Sequence, residues 1–100
     1  MEDKFRQTGR TTEMLLKMLV SQHENNYYVS LNYRMSNYHR DMFLDILENL
    51  KFKFEANIGD NTVTVRHKRF KFISREYKNS MKFRNDGAVF FDHTCIGVNI

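Results

Sequence analysis

Tyr27-Tyr28-Val29-Ser30-Leu31 is a short, mostly apolar run that stands between two segments of helical periodicity. Its composition, with Asn25-Asn26 as a turn just before it, is typical of a β-strand. Apolar residues recur at helical spacing on both sides of this strand. They are Met14, Leu15, Met18 and Leu19 before it, and Met42, Phe43, Ile46, Leu47 and Leu50 after it. The order helix, strand, helix predicts an α/β layer.

Polar residues mark where each predicted helix begins. Thr11 or Thr12 is placed to cap the first helix, and Ser36 is placed to cap the second, because a hydroxyl can accept from the free backbone N–H groups of a first turn. The stretch 7–11 contains Gly9 and predicts a turn that leads into the first helix.

Beyond Leu50 the apolar residues alternate with polar ones, which predicts β-strands joined by short turns. The predicted strands lie around Phe52 and Phe54, around Val63 and Val65, and over Phe70–Ile73, with a turn at 57–61 and a basic corner at 67–69. Residues 74–86 predict a loop or a short irregular helix. The apolar run Ala88–Phe91 predicts a strand buried on both faces, in the middle of the sheet.

Length and composition limit the class of protein. One hundred residues, 41% of them hydrophobic, predict one small α/β domain over residues 1–100, with at least two helices and a sheet of mixed parallel and antiparallel strands. No apolar run reaches the roughly 18 residues of a membrane span, so we expect no membrane partner. The single cysteine, Cys95, favours a reducing cytoplasm. The residues Phe, Tyr, Asn, Lys and Ile are abundant, as in proteins from low-GC genomes, including viral ones. For a viral protein, the expected compartment would be the cytoplasm of the host cell.

The net charge of +4 is concentrated in one segment. Residues 62–84 hold eight basic side chains and one acid, Glu76, while the rest of the chain is slightly acidic. Such a segment can bind DNA, RNA or another acidic surface, including that of a host protein. The candidate nucleic-acid-binding residues are Arg66, Lys68, Arg69 and Lys71. The alternative is a solvated strand edge that lysine and arginine protect from pairing.

Two stretches have the composition of a phosphate site. Residues 6–12 place Gly9 and Arg10 where a helix begins, and such a loop offers free backbone N–H groups and a cation to an anion. Asp92 follows the last predicted strand, where a carboxylate can hold Mg²⁺. The alternative is structural: Gly9 as a turn glycine, Thr11 as a helix cap and Asp92 as a turn former.

These stretches also resemble a known family. Arg6-Gln7-Thr8-Gly9-Arg10-Thr11-Thr12 resembles the Walker A segment of terminase and helicase-like P-loop ATPases, and Ala88–Asp92 resembles a Walker B strand. Gly9-Arg10-Thr11-Thr12-Glu13-Met14-Leu15 and Val89-Phe90-Phe91-Asp92-His93 are similar to segments of small phage proteins with a P-loop-like layout.

The resemblance implies a reduced P-loop NTPase-like fold that binds a nucleotide or another phosphate-containing ligand. Thr8, Gly9, Arg10, Thr11 and Thr12 would form the phosphate loop. Arg10 would contact phosphate, Thr11 and Asp92 would hold Mg²⁺, and the cofactors would be Mg²⁺ with ATP or GTP.

The chain departs from the P-loop pattern at three positions. Lys4 stands where the first glycine of the motif belongs, Arg10 replaces the lysine, and His93 stands where many ATPases keep a glutamate. A planar guanidinium does not reproduce a compact ammonium between phosphates. The sequence therefore favours binding over hydrolysis; an active enzyme would be a Mg²⁺-dependent NTPase. The competing hypotheses are a non-enzymatic nucleic-acid-binding protein and a small viral protein that inhibits a host factor, both through the basic segment 62–84.

Overall fold

The computed structural model describes residues 2–80 and 87–93, with side chains from Gly9 to Tyr77 and from Gly87 to His93. Within these residues the chain forms three helices and five strands. In chain order they are α1 (Glu2–Leu19), β1 (Asn25–Ser30), α2 (Tyr33–Asn49), β2 (Glu55–Asn57), β3 (Thr62–Val65), β4 (Lys68–Ser74), α3 (Arg75–Ser80) and β5 (Gly87–Phe91). In the stretch 74–86, predicted to be a loop or a short irregular helix, residues 75–80 form α3. Residues 81–86 and Cys95 lie outside the described residues.

The five strands form one sheet in the order β2-β3-β4-β1-β5. β1 runs parallel to both β4 and β5, and Tyr28 lies opposite Phe72 on one side and Phe90 on the other. The pairs β2–β3 and β3–β4 are antiparallel. The prediction of a single small α/β domain with a mixed sheet is therefore confirmed.

Alternation along the strands builds the core on one face of the sheet. Tyr28, Phe70 and Phe72 point to the side on which α1 and α2 pack, and all three are buried. Phe43 of α2 has its ring centroid 5.0 Å from that of Phe70 and 5.5 Å from that of Phe72. The other face is covered in part by α3, which packs against β4 and β1. Lys71 lies on that other face, with its ammonium 5.7 Å from the ring centre of Tyr77.

The predicted helix starts are wrong at both helices. α1 begins at Glu2, so the turn expected at 7–11 and the caps expected at Thr11 and Thr12 lie inside a helix. One glycine in a helix costs about 1 kcal/mol, too little to end a helix whose later turns are packed. α2 is capped by Asn32, whose side chain accepts from the N–H of Met35 at 2.9 Å. Ser36 lies one turn further on, with its hydroxyl donating to the Asn32 carbonyl.

The strand predicted around Phe52 and Phe54 is also wrong. α2 ends in a Schellman motif, in which the N–H of Lys51 bonds to the Glu48 carbonyl and the N–H of Phe52 bonds to the Leu47 carbonyl. Lys51 takes the left-handed conformation that this motif requires, with φ 61°. The turn sends Phe54 back against the core, and β2 begins only at Glu55.

The prediction that the last strand lies in the middle of the sheet is wrong as well. β5 forms one edge of the sheet that the described residues make, and Val89 and Phe91 are more than one third exposed. An apolar run does not distinguish a central strand from an edge strand when one face is apolar and partly covered. The strands predicted at 27–31, around Val63 and Val65, and over 70–73 are confirmed as β1, β3 and β4. The turn predicted at Asn25-Asn26 is wrong, because both residues pair with β4 and β5 as the start of β1.

Candidate functional site

Asp92 lies just beyond β5, where β1 also ends. Its backbone N–H donates to the Val29 carbonyl at 2.9 Å, which extends the pairing of β5 with β1 by one residue. The side chain is fully buried, so the carboxylate depends on protein groups for its hydrogen bonds. Polar side chains from α1, β1 and α2 gather around it. We call this group the Asp92 cluster; it comprises Thr11, Tyr28, Ser30, His39, Asp92 and His93.

Two hydroxyl groups donate to the same oxygen of Asp92. Thr11 donates from α1 to Oδ1 at 3.0 Å, and Tyr28 donates from β1 to Oδ1 at 2.5 Å. The two histidines approach from either side: Nε2 of His39 is 3.7 Å from Oδ1, and Nδ1 of His93 is 3.7 Å from Oδ2. The carboxylate is thus held by hydroxyl donors, while each imidazole lies beyond hydrogen-bond distance.

Regular structure places each member of the cluster. Thr11 lies one helical turn before Leu15, so it shares the buried face of α1. Tyr28 and Ser30 are two residues apart on β1 and point to the same face of the sheet. His39 lies one turn before Phe43 on the buried face of α2. The helices α1 and α2 and the parallel strands β1 and β5 therefore meet at this end of the sheet. Ligand sites of α/β proteins also lie at the carboxyl ends of the strands.

His39 is held as a neutral imidazole. Its burial lowers its pKa below the ordinary value of 6.5; the nearby charge of Asp92 opposes this effect, and His93 adds to it. Nδ1 of His39 is 2.6 Å from the Ser30 hydroxyl, and the ring meets Tyr28 edge to face at 5.4 Å. His39 therefore joins the end of β1 to α2 without adding a charge to the interior.

Ser30, His39 and Asp92 form a chain of hydroxyl, imidazole and carboxylate that resembles a hydrolytic triad. Geometry argues against that role. Ser30 and Asp92 are fully buried and His39 is 1% exposed, so a substrate carbonyl has no access to the hydroxyl in this conformation. The His39–Asp92 separation of 3.7 Å also exceeds hydrogen-bond distance. The arrangement instead secures a buried carboxylate.

The structure brings together Thr11 and Asp92, the two residues predicted to hold Mg²⁺. Oxygen is the ligand that Mg²⁺ prefers, and two ligands at about 2.1 Å in neighbouring octahedral positions are about 3.0 Å apart. The observed separation of 3.0 Å between Thr11 Oγ1 and Asp92 Oδ1 fits that spacing. Among the described residues, no group of three or more His, Cys, Asp or Glu side chains is placed to hold a metal. Two oxygen ligands do not complete a site, so an ion held here would need further ligands from a bound molecule or from water.

Two other residues of the predicted phosphate loop, Gly9 and Arg10, lie on the exposed part of α1. Thr12 is half-buried, while the side chain of Thr8 lies outside the described residues. Because helix-interior N–H groups bond to the carbonyls four residues earlier, 8–12 do not form an open cradle of free N–H groups in this conformation. The expected loop geometry is therefore wrong, and the phosphate-binding role of these residues stays a prediction.

The four basic residues predicted to bind nucleic acid are divided between two sides of the sheet. Arg69 and Lys71 point away from α1 and α2 and line one groove. Lys68 lies on the helix side, where its ammonium donates to the Leu19 carbonyl at 3.4 Å, and Arg66 is exposed in the β3–β4 turn. Because successive side chains of a β-strand point to opposite faces of the sheet, these four residues do not form one continuous surface.

Sequence reasoning missed Tyr28, Ser30 and His39 as members of the cluster. Tyr28 and Ser30 are ordinary strand residues in the sequence, and only their common face near the strand end could have pointed to a site. His39 lies one helical turn before Phe43, a spacing that places it on the apolar stripe of α2. A histidine on an apolar stripe was the available signal.

No protein-family model matches the chain, and comparison with curated proteins and with solved structures also found no match. Among the described residues, no helix combines the length and the apolar character that crossing a membrane requires.

Proposed function

We propose that this protein binds a phosphate-containing ligand, a nucleotide with Mg²⁺, where α1 meets Asp92. The observation that carries the proposal is the hydrogen bond of 3.0 Å between Thr11 and Asp92, which lie 81 positions apart. A hydroxyl on the first helix and an acid at the end of a parallel strand are the pair that P-loop proteins use to hold Mg²⁺. The resemblance of both segments to Walker A and Walker B supports the same function.

Gly9 supports the proposal because no packing contact among the described residues explains a glycine at this position of the helix. A Cβ built on Gly9 has no neighbour within 4 Å among the described residues, so an alanine would fit and would favour the helix by about 1 kcal/mol. A glycine at such a position suits a backbone that unwinds or that a ligand approaches closely. We propose that ligand binding unwinds α1 ahead of Thr11, which frees backbone N–H groups beside Arg10 for phosphate.

His93 supports a ligand at this site as well. Its Nε2 atom is buried and has no hydrogen-bond partner among the described residues, and its Nδ1 atom is 3.5 Å from the Thr11 hydroxyl. An unpaired buried polar atom is unfavourable, and a ligand oxygen would satisfy it. Because His93 follows Asp92 where a water-activating carboxylate is usual, and Arg10 replaces the lysine, we propose binding without rapid hydrolysis.

A thermal-shift titration with MgATP and MgGTP tests this function. Ligand at about 100 times its Kd should stabilise the wild type by roughly 2.7 kcal/mol, which raises Tm by several degrees. Arg10→Ala should lose this shift, since it removes the cation. Lys17→Ala is the matched control, because Lys17 is an exposed cation two turns further along α1, and it should keep the shift. No shift in the wild type, or an equal shift in Arg10→Ala, would contradict the proposal.

A second candidate function is nucleic-acid binding on the sheet face opposite α1 and α2. The supporting observation is a groove of about 760 Å³ into which Arg69, Lys71 and Tyr27 all project. Two cations and an aromatic ring can bind the phosphates and a base of a single strand. Glu55 and Asp60 line the far side of the groove. Because their carboxylates repel phosphates, a nucleic-acid strand would lie along β4.

Fluorescence anisotropy with labelled single-stranded DNA and RNA tests the second function. Affinity should fall steeply as salt increases, because phosphate neutralisation releases counterions. Arg69→Ala and Lys71→Ala should each weaken binding, whereas Lys68→Ala, on the other side of the sheet, should not. Equal effects of all three substitutions would show that general charge, rather than this groove, is responsible.

A further inference from the structure

A second concave surface lies at the end of the sheet opposite Asp92. It forms where α1 and α2 end and where the β3–β4 turn leads into β4. Its volume is about 410 Å³, and most of its lining is apolar. We call it the apolar groove; its apolar lining comprises Leu16, Leu19, Val20, Leu50, Phe52, Val65 and Phe70.

Four of these side chains are unusually exposed for their type. Val20 is 74% exposed, Leu50 is 52% exposed, and Leu16 and Phe52 are each more than one third exposed. Single exposed apolar side chains are ordinary, but four that converge on one concavity are typical of a binding surface. The backbone beneath them is well fixed, since the Schellman motif holds Leu50 and Phe52 and the last turn of α1 holds Val20 through its N–H bond to the Leu16 carbonyl.

Among the residues that the structure describes, the ionisable side chains that line the apolar groove are all basic in type. Arg66, His67 and Lys68 follow one another along the β3–β4 turn and form its rim. Arg66 is exposed with φ 58°, and the Lys68 ammonium is fixed against the end of α1 by its bond to the Leu19 carbonyl. An apolar floor beside a cationic rim is complementary to an apolar surface that has acidic residues along one edge.

We propose that the apolar groove binds an amphipathic helix of a partner protein, with its apolar face on the groove and acidic residues against Arg66 and Lys68. The concave shape favours a helix over a flat bilayer, because a helix places residues at i, i+3/i+4 and i+7 into one groove. The inference is independent of the proposed phosphate site, which lies at the other end of β1.

Selection from a displayed library of 16-residue helical peptides tests the proposal. The library fixes leucine at i, i+3 and i+7 and randomises the flanking positions. Peptides that bind the wild type are kept, and those that also bind the variant Val20→Ser/Leu50→Ser are removed. Both substituted positions are more than half exposed, so that variant should fold with an unchanged Tm. We expect the recovered peptides to be enriched in Asp and Glu on one flank.

Binding of one recovered peptide is then measured by fluorescence anisotropy. Val20→Ser/Leu50→Ser should weaken binding by about tenfold or more, because it removes apolar contact at the groove. Arg66→Asn, which suits the positive φ, should weaken binding less and should reduce its salt dependence. Ile58→Ser is the matched control: Ile58 is 55% exposed and lies outside the apolar groove, so binding should not change.

Three outcomes would overturn the proposal. Recovery of peptides without acidic enrichment would remove the charge argument. Tighter binding to phosphatidylserine vesicles than to any recovered peptide, lost in Val20→Ser/Leu50→Ser, would assign the groove to a membrane surface. Concentration-dependent dimerisation lost in the same variant would assign the groove to a second copy of the chain.

Discussion

The hydroxyl of Thr11 donates a hydrogen bond of 3.0 Å to Oδ1 of Asp92 and so joins the first helix to the end of β5. Both residues are buried, and the same carboxylate oxygen also accepts from Tyr28. The bond is therefore part of the fold as well as part of the proposed ligand site. Its two roles predict different responses to substitution, in stability and in binding.

Thr11→Val should destabilise the protein by about 1.5–3 kcal/mol, because it removes a donor to a buried carboxylate and keeps the side-chain shape. Thr11→Ser keeps the hydroxyl and should lose no more than about 1 kcal/mol for the missing methyl. Urea denaturation measures both free energies of unfolding. Equal losses in the two variants would mean that packing, rather than the hydrogen bond, is the contribution of Thr11.

Tyr28→Phe should destabilise the protein by about 1.5–3 kcal/mol, because it also removes a hydroxyl donor to the buried carboxylate of Asp92. The phenyl ring keeps the contacts with His39 and Phe72, whose ring centres lie 5.4 Å and 5.8 Å away. Tyr38→Phe is the matched control, since Tyr38 is half exposed on α2, and it should change stability little. Similar free energies for the two variants would contradict the assignment of Tyr28 as a donor to Asp92.

Gly9→Ala and Gly87→Ala should change stability in opposite directions. Gly9 has room for a Cβ, so alanine should stabilise the unliganded protein by about 1 kcal/mol and, by opposing local unwinding, weaken nucleotide binding. At Gly87 a Cβ would lie 2.9 Å from the Asn25 carbonyl oxygen and 3.0 Å from the Tyr27 ring, so alanine should destabilise. Thermal melts with and without MgATP measure both effects. Unchanged or tighter nucleotide binding by Gly9→Ala would contradict the proposed unwinding of α1.

Asn61 is held in the left-handed conformation, with φ 54°, immediately before β3. Its side chain accepts from Arg40 at 2.8 Å and donates to the Phe72 carbonyl at 3.1 Å. Asn61→Gly keeps the backbone conformation but loses both bonds, which should destabilise by about 1–3 kcal/mol. Asn61→Ala should destabilise by about 1 kcal/mol more, because of its positive φ. A smaller loss for alanine than for glycine, measured by urea denaturation, would contradict this explanation.

The sequence predicts most of the fold and half of the site. Alternation and helical spacing locate β1, β3, β4 and the two long helices, because those patterns reflect burial against one core. The helix starts are missed because Gly9 and Ser36 are signals that a packed helix overrides. Thr11 and Asp92 are predicted as partners from motif chemistry. The position of His39 on the apolar stripe of α2 indicates burial, but its role depends on α2 lying over the end of β1, a tertiary relationship that no local pattern carries.

Stability should fall as pH decreases from 7 toward 5, and His39 should contribute to the slope. Burial lowers the pKa of His39 in the folded protein below 6.5, its ordinary value and the one expected in the unfolded chain. At pH values between the pKa of His39 in the folded protein and that in the unfolded chain, the unfolded chain binds more protons than the folded protein. Lowering the pH therefore favours unfolding by up to about 1.4 kcal/mol per pH unit for this one group. His39→Asn keeps a polar group near Ser30 and should flatten the dependence, even if stability at pH 7 is lower. Urea denaturation at a series of pH values measures the slope, and an equal slope in both proteins would mean that His39 is not the group that titrates.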